Sequence, residues 1–194
     1  MTSGDGRGSS GAGGSIRRAY FVLLSVLLLI PPSSATGQAR ASDTVSPEAL
    51  VTAAYEAIGR EPGQPYDWDR FHALFHEQAR LIPNVQQTGG TLTVMTPAGF
   101  AAWADGNTVV GGANDRGFYE EEIHHEVDRF GAMAQVFSTY QKRFADTEVI
   151  LGTGINSFQM IHSEDRWWIV SIIWDEERAG LSIPGAYRGG GSDG

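Results

Sequence analysis

A carboxylate, a histidine and a tyrosine in the second half of the chain have side chains that could transfer protons. Residues 118–130 predict a β-strand, and side chains on a strand alternate between its two faces, so Glu121 and His125 share one face. If the chain turns at residues 130–131, the next strand places Tyr140 opposite Glu121. A histidine beside a carboxylate can act as a general base, and a tyrosine hydroxyl can stabilise an oxyanion. We therefore predict His125, Tyr140 and Glu121 as catalytic residues.

The opposite face of the same strand offers an alternative set. Glu122, His124 and Glu126 occupy every second position there, and carboxylate and imidazole groups at that spacing could bind zinc or manganese. Burying three carboxylates in a dry cavity would cost several kcal/mol for each unpaired charge, which favours a solvated, charged surface. Glu122 and His124 remain the alternative catalytic pair, and we predict neither a metal nor a cofactor.

The composition excludes several kinds of protein. The 194 residues suffice for one domain, and a 41% share of hydrophobic residues can fill a core. The sequence has no cysteine, which excludes disulfides, thiolate catalysis and cysteine-bound metals. A net charge of −9 argues against nucleic acid or an anionic membrane surface as a partner, because both bind basic patches. The sequence also contains no phosphate-binding loop, dinucleotide fingerprint or nucleophile elbow.

Residues 1–39 are typical of an export signal. Two arginines followed by an unbroken apolar run occupy positions 17–30, and this run is shorter than the roughly 20 residues that a membrane-spanning helix needs. Small residues favour cleavage after Ala39, with cleavage after Ala35 or an uncleaved anchor as alternatives. We therefore expect a secreted or periplasmic protein, free of the membrane after cleavage, that begins with a polar linker over 40–45.

Capping residues and apolar spacing predict three helices. Ser46 followed by proline starts a helix over 47–58, in which apolar residues recur on one face. Asp67 can cap a second, short helix with its aromatic side chains on one face. Thr96 followed by Pro97 repeats the cap-plus-proline signature and opens the third helix.

Six segments with β-type patterns follow or separate these helices. Two are short and four are long, and they span 78–83, 91–95, 118–130, 132–144, 153–162 and 167–176. This order predicts an α+β fold in which three N-terminal helices pack on a curved, mostly antiparallel sheet. We expect the domain to span 46–178, with a C-terminal tail over 179–194 whose last residues are disordered.

The element order and several motifs together resemble the nuclear transport factor 2-like superfamily of cone-shaped α+β proteins. The motifs are Asp67–Phe71, Phe118–Ile123, Val136–Tyr140, Gly154–Gln159 and Arg166–Ser171. The likeness covers residues 46–188 and is greatest to small exported bacterial members related to polyketide cyclases and ketosteroid isomerases. It implies a ligand pocket inside the cone, and the candidate ligand contacts are Trp68, Phe71, His76, Arg80 and Asn156.

The resemblance implies a small-molecule-binding protein and leaves open whether the protein is an enzyme, because the superfamily includes isomerases, dehydratases, cyclases and binding proteins without activity. We predict an exported protein that binds a small molecule of apolar or mixed polarity. A cofactor-free isomerase or hydro-lyase is the catalytic option. The alternative is a non-catalytic assembly or accessory domain with a filled or vestigial pocket.

The last two predicted strands are apolar on both faces. Trp168 and Val170 share one face, and Trp167 and Ile169 share the other. One face can pack on the helices, whereas the other would leave a large apolar patch of a kind that monomers rarely expose. We therefore predict a homodimer that forms through the sheet.

Overall fold

A mixed five-stranded sheet forms the centre of the computed structural model, which describes residues 39–106 and 116–189. Its strands are β1 (Phe75–Ile82), β2 (Tyr119–Phe130), β3 (Met133–Arg143), β4 (Ile150–Ser163) and β5 (Arg166–Glu176). They lie in the order β1-β5-β4-β3-β2. β1 pairs with β5 in parallel, and every other pair of neighbours is antiparallel. Positions 1–38 of the predicted export signal and the end of the tail at 190–194 lie outside the described residues.

In the part of the chain that the structure describes, three α-helices accompany the sheet, namely α1 (Pro47–Ile58), α2 (Trp68–Ala73) and α3 (Pro97–Gly106). The Ser46 side chain accepts a hydrogen bond from the backbone N–H of Ala49, and Asp67 does the same for the backbone of Arg70. These side chains satisfy N–H groups that the first turn of a helix leaves without partners. No helix among the described residues is long and apolar enough to cross a membrane.

The second short strand predicted over 91–95 does not form. Only Met95 pairs with a strand: its backbone exchanges two hydrogen bonds of 2.9 Å with Leu81 on β1. Leu92 and Val94 are 70% and 52% exposed. Two β-prone residues in solvent, without a neighbouring strand along their length, do not make a ladder, because strand stability comes from cross-strand pairs.

An extra residue in β2 changes which of its side chains face the inside of the cone. The β2–β3 hairpin turns at residues 131–132, one residue later than predicted, and pairs His125 with Ser138. The register then shifts around Ile123, so that Glu122 lies opposite Tyr140. The predicted pairing of Glu121 with Tyr140 is therefore wrong, because a β-bulge exchanges the two faces of a strand beyond it.

The core lies between α1, the short helices and the concave face of the sheet. Its largest fully buried side chains include Leu50, Leu74, Phe118, Tyr140, Phe158 and Trp167. The segment just before α1 also belongs to the folded domain: residues 41–44 form a 3₁₀ helix, and the buried Asp43 accepts hydrogen bonds of 2.9 and 3.1 Å from Arg70. The segment predicted as a linker thus contributes a buried ion pair.

Candidate functional site

The concave face of the sheet and the helices enclose a cavity of about 60 Å³. Most of its wall is apolar, and the aromatic part consists of Phe71, Phe100, Trp103, Phe118, Phe158 and Trp174. The polar groups gather at one end, and these are Tyr55, Gln87, Glu120, Lys142, Asn156 and Glu176. An apolar wall with a few converging polar groups is the usual composition of a small-molecule site.

Glu120 is a carboxyl group of this cavity whose pKa is raised close to neutral pH. It lies on β2 directly opposite Lys142 on β3. The pKa of its carboxyl is raised to about 7: burial is the largest cause and the charge of Glu176 adds to it, whereas the charge of Lys142 and the Asn156 amide oppose the shift. A carboxyl group with that pKa can accept or donate a proton near neutral pH.

Glu176, at the end of β5, has a different environment. Its Oε1 atom accepts hydrogen bonds from the Tyr140 hydroxyl at 3.1 Å, from Gln87 Nε2 at 2.8 Å and from Lys142 Nζ. Gln87 is itself held by Trp174, whose indole N–H donates to Gln87 Oε1 at 2.9 Å. This carboxylate is therefore a fixed acceptor that anchors one wall of the cavity.

A line of hydrogen bonds leads from the cavity to the surface. Asn156 Nδ2 donates to the Tyr55 hydroxyl at 3.0 Å, and that hydroxyl lies 2.8 Å from Ser138 Oγ. Ser138 in turn donates to Glu122 Oε1 at 2.5 Å. Glu122 Oε2 lies 3.0 Å from His125 Nδ1. Burial raises the pKa of the Tyr55 hydroxyl, so this group stays protonated at neutral pH.

Comparison with known proteins identifies the fold. No family model and no curated protein matches this sequence. A protein of unknown function with a cystatin-like fold from Nostoc punctiforme is 13% identical, with a TM-score of 0.53 over 72% of this chain and 95% of that chain. A nuclear transport factor 2-like protein of unknown function from Pseudomonas putida is 12% identical, with a TM-score of 0.50 over 66% of this chain and 81% of that chain. This chain has the nuclear transport factor 2-like fold.

A third structure supports the same conclusion. A protein of unknown function from Mycobacterium tuberculosis is 18% identical, with a TM-score of 0.51 over 68% of this chain and 69% of that chain. The resemblance inferred from the sequence motifs is thus confirmed at the level of the fold. Such a fold hosts many activities, so the residues inside the cone must carry any functional argument.

Three of the predicted catalytic residues occupy three different environments within this nuclear transport factor 2-like cone. Tyr140 is buried beside the cavity and donates to Glu176, and burial raises the pKa of its hydroxyl. His125 lies on the inner side in the middle of β2, where its side chain is 39% exposed and meets Glu122. Glu121 faces outward and forms an ion pair of 2.8 Å with Arg143. The structure therefore does not bring the predicted trio together.

The alternative pair is also divided between the two faces of β2. Glu122 faces inward, where it accepts from Ser138. His124 lies opposite Thr139 on the other face and contacts Glu126 at 3.1 Å. Within residues 39–106 and 116–189, no group of three or more histidine, aspartate or glutamate side chains is arranged to hold a metal ion.

Only some of the predicted ligand contacts line the cavity. Phe71 and Asn156 line the cavity. Trp68 lies behind them, edge-on to Phe71 with ring centroids 5.4 Å apart. His76 lies near Trp168, away from the cavity, and Arg80 donates to the backbone carbonyls of residues 78 and 79. The last two side chains are therefore not part of the cavity wall.

Sequence reasoning missed Glu120, Lys142 and Glu176. Uninterrupted alternation along β2 predicts Glu120 in a row of outward carboxylates, and the bulge at Ile123 makes that prediction wrong. One signal was available: Lys142 is the only lysine in a sequence with 14 basic residues. A lone lysine on a strand of alternating polarity marks a position where a compact ammonium group, rather than a guanidinium, fits the space.

Proposed function

We propose that the protein binds a compact small molecule inside the cone and catalyses proton transfer on it as a cofactor-free isomerase or hydro-lyase. The observation that carries this proposal is the carboxyl of Glu120, which lies at the polar end of an aromatic cavity with its pKa raised to about 7. Near neutral pH this group exists in both protonation states, so it can remove a proton from carbon and return it elsewhere on the same molecule.

Lys142 supplies the complementary charge. Its ammonium has three N–H groups, and Glu176 accepts from one of them. The remaining two can stabilise negative charge that develops on a carbonyl or hydroxyl oxygen of the substrate. A base and a cation on paired positions of β2 and β3 suit a substrate whose acidic C–H lies next to a carbonyl group.

The size of the cavity limits the substrate. About 60 Å³ is several times the space that one water molecule requires and well below the range of pockets for drug-sized ligands. We therefore propose a compact, mostly apolar carbonyl or hydroxy compound. Trp103 and Gln87 line this cavity and are only half-buried, so a larger ligand would have to displace them.

We also propose that the protein is exported and that it forms a homodimer through its sheet. The arginine pair and apolar run at 17–30 support export to the periplasm or the medium. The outer face of the sheet supports a dimer: Ile173 is 50% exposed there, beside a groove of about 400 Å³ that residues 181–184 help to form. A second copy of the chain would cover this apolar surface.

A second candidate function is a non-catalytic accessory domain. The aromatic packing around the cavity favours it, because Phe71 stacks on Phe100 with centroids 5.4 Å apart and Phe100 meets Trp174 edge-on at 5.9 Å. In that case the small cavity is residual space in a core, and Glu120 has no substrate.

Two experiments decide between these functions. Native mass spectrometry of the protein from its own host should show a bound molecule. The mass of that molecule gives the substrate class. Hydrogen–deuterium exchange at the carbon acids of small ketones and aldehydes, followed by NMR, should be accelerated by the wild-type protein. Glu120→Gln should lower the rate about 10²- to 10⁴-fold.

The matched control is Glu121→Gln, which removes a carboxylate from the next position on the outer face and should leave the exchange rate unchanged. If the wild-type protein binds no molecule and accelerates no exchange, the accessory-domain function replaces the enzymatic one. Equal rates for wild type and Glu120→Gln would also contradict the proposed role of Glu120.

A further inference from the structure

We propose that the amine of Lys142 forms a covalent imine with the carbonyl carbon of the compound that the cavity binds. This inference rests on the proposed function, in which a carbonyl compound lies beside Glu120 and Lys142. It goes beyond that function, because there the lysine only donates hydrogen bonds. An imine activates an aldehyde or a ketone more strongly than hydrogen bonds do, since its nitrogen withdraws electrons through a covalent bond.

Lys142 carries a buried amine in an apolar cavity. It lines the cavity, and only 12% of its side chain is exposed. Removal from water disfavours the ammonium form of a lysine and so makes the nitrogen available as a nucleophile. A guanidinium always stays protonated, so an arginine could not replace it in this chemistry. Lys142 is also the only lysine of the chain, and the other members of its 14 lysine and arginine residues are arginines.

Two glycines on β4 leave room for this amine. Gly152 lies opposite Lys142, and a Cβ atom there would lie 2.8 Å from the lysine Cε atom, which is closer than non-bonded carbon atoms pack. Gly154 lies opposite Tyr140, and a Cβ atom there would lie 2.5 Å from the tyrosine hydroxyl. The lysine side chain can therefore cross β4 and place its ammonium against Glu176 on β5.

Two carboxyl groups beside the amine can handle its protons. Glu120 lies opposite Lys142 on β2, and Glu176 accepts a hydrogen bond from the amine. The hydroxyls of Tyr140 and Tyr55 also lie near Glu120, and burial raises the pKa of both. Because the pKa of the Glu120 carboxyl is raised to about 7, this group can take a proton from the ammonium and return it later.

Imine formation at this site balances in atoms and in charge. The Glu120 carboxylate takes one proton from the ammonium, and the nitrogen lone pair attacks the carbonyl carbon to form a carbinolamine. The carbonyl oxygen takes a second proton from the nitrogen. Glu120 returns the first proton to the new hydroxyl, which leaves as water while the C=N bond forms. One ammonium and one carbonyl compound thus give one iminium ion and one water, and the positive charge stays beside Glu176.

The iminium ion supports the proton transfer of the proposed function. Its nitrogen accepts the electron pair that is released when the Glu120 carboxylate removes a proton from the adjacent carbon, and an enamine results. Protonation at a different carbon of a conjugated enamine gives an isomerisation, and loss of a β-hydroxyl group gives a dehydration. The substrate class narrows to compact aldehydes and ketones, because carboxylic acids and esters do not form imines with lysine.

Reductive trapping tests the covalent bond. The wild-type protein is incubated with acetone or, separately, with propanal, in the presence of sodium cyanoborohydride, which reduces an iminium ion to a stable secondary amine. Peptide mass spectrometry should then locate one isopropyl or propyl group on Lys142. Peptide mapping separates this product from any product at the amino terminus of the chain.

The matched control moves the lysine to the surface. Lys142→Arg combined with Arg178→Lys keeps the number of lysines and the net charge, and the side chain at position 178 is 40% exposed. Trapping on Lys142 should be at least about tenfold faster than on this surface amine, because the cavity holds the carbonyl compound beside the nitrogen. If the double variant fails to fold, added Nα-acetyllysine gives the same comparison.

No adduct on Lys142 of the folded wild-type protein with either compound would overturn the inference. Trapping no faster than on the surface amine would overturn it as well. An adduct without exchange of carbon-bound hydrogen would support the imine and contradict only the proposed role of Glu120 as a base. Exchange that Glu120→Gln abolishes, in a protein that forms no adduct, would support the proposed function and refute only the imine.

Discussion

Two carboxylates share the polar end of the cavity, and their surroundings differ. Glu176 accepts three hydrogen bonds, one of them from the Lys142 ammonium. Glu120 lies opposite the same lysine, and its pKa is about 7, mainly because of burial. Burial is the largest cause of the raised pKa of Glu120, so this carboxyl can exchange a proton near neutral pH, whereas the three donors make Glu176 an anchor of the cavity wall.

The largest expected effect comes from removing the cation that lies between the two carboxylates. Lys142→Met leaves Glu176 without its charged partner and Glu120 without the opposing positive charge. We expect a loss of about 2 to 4 kcal/mol in the free energy of unfolding at pH 8, because breaking a largely buried pair leaves an uncompensated charge. Urea denaturation at pH 8 and pH 5 measures it, and the loss should be smaller at pH 5, where Glu120 is protonated.

Arg143→Met provides the matched control for this comparison. Arg143 is the next residue on β3, and its partner Glu121 lies on the outer face with 58% of its side chain exposed. An exposed pair of this kind contributes at most about 1 kcal/mol. Equal losses for Lys142→Met and Arg143→Met would show that the cavity pair has no special role in stability.

A smaller effect of opposite sign is expected for Glu120→Gln. The pKa of Glu120 is about 7 in the folded protein and near 4.5 in the unfolded chain, so folding takes up a proton between these pH values. The contribution of Glu120 to stability is therefore present in full below pH about 4.5 and is lost as the pH rises through about 7. Glu120→Gln should be more stable than wild type by about 1 to 3 kcal/mol at pH 8 and equal to it near pH 4.5.

Thermal and urea unfolding across pH 4.5 to 8 check this prediction. Glu126→Gln, which changes an exposed carboxylate on the same strand, is the control and should follow the wild-type curve at every pH. A variant Glu120→Gln that is less stable than wild type at pH 8 would contradict the conclusion that the ionised Glu120 carboxylate destabilises the folded protein.

The smallest effect is expected at the outer end of the hydrogen-bond line. His125→Ala removes a contact to Glu122 from a side chain that is 39% exposed, and water can take its place. We expect a change below about 0.5 kcal/mol in stability. Ser138→Ala, one step further inward, should cost about 1 to 2 kcal/mol, because it leaves the buried Tyr55 hydroxyl without an acceptor. If His125→Ala lowered the stability more than Ser138→Ala does, the exposed end of this hydrogen-bond line would contribute more to stability than its buried end.

The sequence alone predicted much of the scaffold. Ser46 and Asp67 cap helices through contacts that span only three residues, and such local signals are readable without knowledge of the fold. The long alternating runs of β2 to β5 were likewise visible, as was the general resemblance to the nuclear transport factor 2-like superfamily. Two of the predicted ligand contacts, Phe71 and Asn156, line the cavity of the structure, and their role in ligand binding stays a prediction.

The identity of the polar end was decided only by the tertiary structure. One extra residue at Ile123 exchanges the faces of β2, so that Glu120 and Glu122 point inward and Glu121 points outward. A bulge of this kind depends on how β2 pairs with β3. The alternation of residue types along β2 alone therefore does not predict it. The perturbed pKa of Glu120 likewise arises from residues of three strands, because burial and the charges of Lys142 and Glu176 exist only once those strands have met.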